Sequence, residues 1–120
     1  MIENTGRRTY KAYVEAVFSG DDLILMIDLN VDSLHKRKRV RLDGVLVPSA
    51  VRQTFDSEAG KIRGMVRGLI IGKTVNLIVT GHAENSWTGI IEVESAGQIV
   101  NVNELLISMG FGFTPHKAIS

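Results

Sequence analysis

The order of strand-like and helix-like segments constrains the fold of this chain more than any other feature. Three strand-like segments come first, then a helical segment, two further strands and a short second helix. Because strands and helices do not alternate one by one, a doubly wound parallel sheet is excluded. The order predicts a β-barrel plus helices (α+β), namely a five-stranded OB-fold barrel with two helices. The segments are residues 9–18, 23–29, 39–42, 62–70, 75–79, 87–94 and 103–109.

Length and composition narrow the class of protein. A chain of 120 residues predicts one domain, placed at residues 9–112, with a flexible N-terminus at 1–8 and a tail at 113–120. The absence of cysteine excludes disulfides and thiolate zinc sites. No apolar run approaches the roughly 20 residues of a membrane span, and no stretch resembles a signal peptide. We therefore expect a protein of the cytoplasm, or of a host cell's cytoplasm, that is neither secreted nor membrane-bound.

Positive charge is concentrated in one run although the net charge is only +1. Five of the fourteen lysines and arginines lie within residues 35–41. Such a run can follow a phosphate backbone, or it can be a solvated strand edge whose lysines discourage further pairing. Aromatic residues that could stack on bases are Tyr13, Trp87 and Phe111, although packing in or around the core is their more ordinary role. The predicted binding surface comprises His35, Lys36, Arg37, Lys38, Arg39, Arg41 and Trp87.

Three motifs resemble those of the staphylococcal nuclease (thermonuclease) family, in the same order. Residues 17–23 (VFSGDDL) resemble V-x-D-G-D-T followed by an apolar residue. Residues 39–49 (RVRLDGVLVPS) resemble R-V-R-L-x-G-I-D-T-P-E, and residues 102–112 (VNELLISMGFG) resemble V-N-x-x-L-V-x-x-G-x-A. Residues 57–59 (SEA) resemble the P-E-A that opens the family's helix. The resemblance implies an OB barrel with helices, in agreement with the order of segments.

The same resemblance implies that the catalytic groups are largely lost. It keeps one calcium-binding aspartate as Asp21 and one phosphate-binding arginine as Arg41. It places Leu46 at the second aspartate and Ser49 at the glutamate that orients water. It places Thr88 at the second arginine. The resemblance therefore implies no catalytic site, no cofactor and a lost calcium site, because carboxylates supply most of the binding energy for that ion.

These losses favour a binding role over catalysis. Phosphodiester cleavage needs charge stabilisation and an aligned nucleophile, and each loss costs on the order of 10² in rate. The leading hypothesis is an inactive nuclease-like domain that binds nucleic acid or a protein of a nucleic-acid-handling complex. The alternatives are an active phosphodiesterase whose metal site is rebuilt with Asp22 or Asp43, and a structural subunit. A small decayed enzyme of this kind would suit a phage protein. The partner, the choice between DNA and RNA, and the oligomeric state stay open.

Three glycines recur every four residues along the first predicted helix, at Gly60, Gly64 and Gly68. Glycine in a helix interior costs about 1 kcal/mol relative to alanine. The stripe therefore suggests close approach of a backbone, from a partner chain or from the barrel itself. Internal packing or chance are the alternatives.

Overall fold

A computed structural model describes residues 8–47, 58–83 and 85–112 of the chain. The predicted tail, most of the predicted flexible N-terminus and Ser49 lie outside these residues. Asp56 and Ser57, either of which the sequence predicts as the cap of the first helix, lie there too. The described elements are β1 (Arg8–Ser19), β2 (Asp22–Asp28), β3 (His35–Leu42), α1 (Glu58–Ile70), β4 (Thr74–His82), β5 (Trp87–Ser95), β6 (Gln98–Asn101), α2 (Val102–Leu106) and a π-helical turn (Ile107–Phe111).

The strands form the five-stranded barrel that the order of segments predicts. They lie side by side in the order β3-β2-β1-β4-β5-β6, and neighbouring strands in this order are antiparallel. The barrel closes where β3 pairs in parallel with β5, in a seam of three residue pairs from Val40–Trp87 to Leu42–Gly89. The sixth strand extends the sheet beyond β5. The OB-type barrel with two helices is thus confirmed.

Alternating side chains fill the barrel, but two bulges change which residues of β1 point inward. The pairing of β1 with β2 skips Glu15 and Phe18, so each is an extra residue in its strand. A bulge shifts the residues after it to the opposite face. The alternation in the sequence predicts a buried Phe18, and this is wrong: Phe18 is 43% exposed, while Val17 and Ser19 are buried.

Helix α1 covers one side of the barrel through Ile62, Val66 and Ile70, which are buried. Its approach is close, because a Cβ added at Gly20 would lie 2.7 Å from Cγ2 of Ile62. Arg63 fixes the helix further by donating from Nε to the carbonyl of Val17 at 2.9 Å. Among the described residues, no helix is long and apolar enough to cross a membrane.

The second helix begins two residues earlier than the sequence predicts. Asparagine is favoured at helix starts, so the sequence predicts Asn103 as the cap, but Asn101 caps α2 by accepting from the backbone N–H of Glu104. The Asn103 side chain is buried and accepts from Ile91 N at 3.0 Å. It also donates to the carbonyls of Asp43 at 2.9 Å and Gly89 at 3.0 Å. One amide group therefore ties the end of β3 to β5 beside the seam.

Candidate functional site

The basic run does not form one surface, because it lies along a strand. Successive side chains of a strand point to opposite faces. Lys36 and Lys38 share the face of the buried Val40, whereas the arginines point outward. We call Arg37, Arg39 and Arg41 the arginine ladder. The residues predicted from the sequence as one binding surface are thus divided between two faces of β3.

Carboxylates from β1 and β2 meet the first two arginines of the ladder. Arg37 donates from Nε to Oε1 of Glu15 at 2.7 Å. Glu15 is the extra residue at the first bulge of β1. Arg39 donates to both oxygens of Asp22, with 2.9 Å between Nε and Oδ1. These hydrogen bonds, and then the attraction between opposite charges, raise the pKa of both arginines above the ordinary value. Both cations are therefore paired with carboxylates of the chain itself.

Asp21 is buried at the turn between β1 and β2, and its carboxylate is occupied. The hydroxyl of Ser19 donates to Oδ1 at 2.9 Å, and the N–H of Val47 points at Oδ2 from 3.4 Å. Nη2 of Arg41 lies 3.8 Å from the same Oδ2. A calcium ion requires six to eight oxygen ligands. The donors around Asp21 do not fit that requirement, because they are hydrogen-bond donors and a cation.

The other predicted positions lie around this aspartate. Leu46 is 54% exposed, and its side chain offers no oxygen ligand. Thr88 is paired with Arg41 across the seam, which puts it beside the retained arginine. Asp43 is exposed beyond the end of β3, and its carbonyl is bound by Asn103. Within the part of the chain that the structure describes, no three histidine, aspartate or glutamate side chains are grouped to hold a metal ion.

Trp87 lies at the opposite face of β3 from the ladder, at the first pair of the seam. Its ring centroid is 6.0 Å from that of Tyr10, with a tilt of 37°, and 5.0 Å from that of His82, edge to face. The ammonium of Lys38 lies over the indole, 5.7 Å from its centroid. We call Tyr10, Lys38, His82 and Trp87 the barrel mouth. It joins aromatic surface to positive charge and contains no carboxylate.

Two residues of the mouth are not identifiable from the sequence. Tyr10 looks like a core residue in the alternation of β1, and His82 lies three residues beyond Val79, in a stretch that the sequence predicts as a loop. The β4–β5 pairing sets His82 directly opposite Trp87, and the curvature of the barrel brings Tyr10 beside them. The other aromatic candidates lie elsewhere: Tyr13 is 48% exposed on the outer face of β1, and Phe111 packs partly buried against the core.

His35 is separate from both sites. Its Nδ1 lies 2.9 Å from the carbonyl of Ser33, and its ring lines a shallow groove with Tyr13 and Met26 on the outside of the barrel. His35 therefore belongs to neither the ladder nor the mouth.

Comparison with known proteins identifies the fold without identifying a family. No family model matches the chain, and no curated protein matches it. Among solved structures, the chain is similar to the extended Tudor domain of human TDRD1 in complex with a symmetrically dimethylated peptide. The TM-score is 0.62 and the sequence identity 12%, over 94% of this chain and 93% of that one. At this identity the similarity supports the barrel, and assignment to the nuclease family stays a prediction.

Proposed function

We propose that this chain is a non-cleaving OB-fold binding module for single-stranded nucleic acid, which it contacts at the barrel mouth. The observation that carries the proposal is the ammonium of Lys38 over the indole of Trp87, with Tyr10 and His82 packed around it. An unpaired base stacks on an aromatic ring, and a neighbouring lysine contacts the phosphate. Lys36, exposed on the same face, extends the positive charge along β3.

The charge of the mouth favours an anionic ligand over a cationic one. A methylated cationic side chain binds where aromatic faces are open to it. The indole of Trp87 already faces the ammonium of Lys38, which would repel a second cation. The dimethylated peptide of the structural neighbour is therefore a poorer guide to this ligand than the mouth itself.

The absence of cleavage is part of the proposal and rests on Asp21 and Arg41. The Asp21 carboxylate is engaged by a hydroxyl, an amide and a guanidinium, and Leu46 offers no ligand. A strand held at the mouth would also lie across β3 from that carboxylate. Binding and the remnant catalytic residues are thus on different faces.

A matched pair of variants tests the location of binding. Lys38 and Arg37 are adjacent cations on opposite faces of β3. We expect Lys38→Gln to weaken binding of a labelled single-stranded oligonucleotide about three- to ten-fold, and to lower the salt slope by about 0.7. Arg37→Gln should leave both unchanged. Fluorescence anisotropy at several salt concentrations measures both quantities.

Trp87 provides the test of stacking. Trp87→Ala should weaken binding about 10- to 100-fold, and Trp87→Phe should restore most of the loss, because base stacking needs an aromatic ring. Equal effects of Lys38→Gln and Arg37→Gln would contradict the proposed face. No binding to single-stranded DNA or RNA would contradict the proposed function and leave a protein ligand as the function to pursue.

The claim of no cleavage has its own experiment. The protein is incubated with Ca²⁺ and single-stranded DNA, duplex DNA or RNA, and products are separated by gel electrophoresis. We expect intact substrate. Cleavage that a chelator stops and Asp21→Ala abolishes would establish an active nuclease instead.

A further inference from the structure

The two acidic residues of the β1–β2 turn share a cation that belongs to the chain. Nη2 of Arg41 lies 3.8 Å from Oδ2 of Asp21, and Nη1 lies 4.0 Å from Oδ2 of Asp22. Two different nitrogens of one guanidinium thus face two different carboxylates. The register explains this position, since Arg41 is the direct partner of Asp22 in the β2–β3 pairing.

Burial makes a cation at this position necessary. The side chains of Asp21 and Asp22 are only 3% and 11% exposed. Two neighbouring carboxylates with so little solvent are costly to bury unless positive charge lies beside them. Arg39 and Arg41 supply two positive charges for the two negative ones, so the group of four is neutral.

A divalent ion would have to displace these contacts. Both oxygens of Asp22 accept from Arg39, and both oxygens of Asp21 face a donor. An ion between the carboxylates would also lie within a few ångströms of two guanidinium groups, which repel it.

We infer that the guanidinium of Arg41 stands in the place of a divalent cation between Asp21 and Asp22, so that this face is closed to metal ions by a resident arginine. The inference is independent of the proposed nucleic-acid site, because it concerns the other face of β3. It predicts that the carboxylates bind metal once the guanidinium groups are removed.

Calcium binding to the whole chain tests this inference. The double variant Arg39→Gln/Arg41→Gln should bind Ca²⁺ with a Kd of about 10⁻⁴–10⁻³ M, in the range of weak protein sites. Isothermal titration calorimetry should detect it, and the Tm should rise with Ca²⁺ concentration. The unmodified protein should show neither effect at the same concentrations. Arg37→Gln is the matched control, because it frees only one carboxylate, that of Glu15.

Further variants identify the ligands and guard against loss of folding. Adding Asp21→Asn to the double variant should abolish the Ca²⁺ response. Arg41→Gln alone keeps the Arg39–Asp22 pair and is the better-folded form of the test; it should bind Ca²⁺ at least ten-fold more tightly than the unmodified protein. The inference is overturned if the unmodified protein binds Ca²⁺ through Asp21. It is equally overturned if folded Arg41→Gln and the double variant gain no affinity.

Discussion

The outer and inner faces of β3 carry the same kind of residue and differ in what surrounds them. The arginine ladder meets Glu15, Asp22 and Asp21, whereas Lys38 meets Trp87. On the first face the cations are paired with carboxylates of the chain, and on the second the lysine lies beside an aromatic ring. A basic run in a sequence therefore overstates the charge available to a ligand when it lies along a strand.

Asn103 ties the end of β3 to β5, so its removal should have the largest effect. Its side chain makes three hydrogen bonds that tie Asp43, Gly89 and Ile91 together next to the seam. Asn103→Ala should lower the free energy of unfolding by about 3 kcal/mol, because it leaves buried backbone groups without partners. Urea denaturation measures this loss. Asn101→Ala, which removes only the cap of α2, should cost about 1 kcal/mol. Equal losses would mean that the seam does not depend on Asn103.

Asp22→Asn should lower stability without changing oligonucleotide affinity, because it alters only the outer face of β3. It replaces a mostly buried carboxylate that accepts from Nε and Nη2 of Arg39. We expect the free energy of unfolding to fall by about 2 kcal/mol. Oligonucleotide affinity should not change when anisotropy is measured at physiological ionic strength, where exposed charges are screened beyond about 8 Å. Glu15→Gln, at the more exposed pair, should destabilise less. If Asp22→Asn also loses oligonucleotide affinity, the two faces of β3 act as one binding site.

Gly64→Ala should have the smallest effect and leave both faces intact. A Cβ at Gly64 or Gly68 meets nothing within 4 Å, so the barrel itself does not require these glycines. We expect Gly64→Ala to stabilise the protein by about 1 kcal/mol in thermal or urea unfolding. Gly20→Ala is the opposite control, because its Cβ would collide with Ile62. If Gly64→Ala instead changes the oligomeric state in size-exclusion chromatography, the partner-chain explanation of the stripe gains support.

Local alternation predicted the barrel well because it reports which strand faces are buried. The buried positions Val75, Leu77 and Val79 of β4 follow it without exception. It failed at Phe18, because one extra residue at Glu15 and another at Phe18 itself reset the faces of β1, and such bulges leave no mark in the period. Element order fixed the topology, while the bulges depend on how β1 bends around the barrel.

The sites were harder to predict because they depend on contacts between distant residues. Arg39 and Asp22 are seventeen positions apart, and only the register of β2 with β3 joins them. Asparagine is favoured at the N-cap of a helix, and both Asn101 and Asn103 satisfy this preference at the start of α2. Asn103 is instead buried beside the seam and bonds its backbone, and no local sequence pattern predicts these contacts.

The shortness of the seam has a consequence for how the protein would respond to its ligand. Three residue pairs close the barrel, against six between β1 and β4. Native proteins open first where few contacts hold them, so separation of β3 from β5 is expected to be the cheapest partial unfolding of the barrel. Lys38 lies on β3 and Trp87 on β5, so the proposed ligand, if held by both side chains, would suppress that opening. Slower amide hydrogen exchange in β3 and β5 on addition of the ligand would show that the ligand stabilises their pairing.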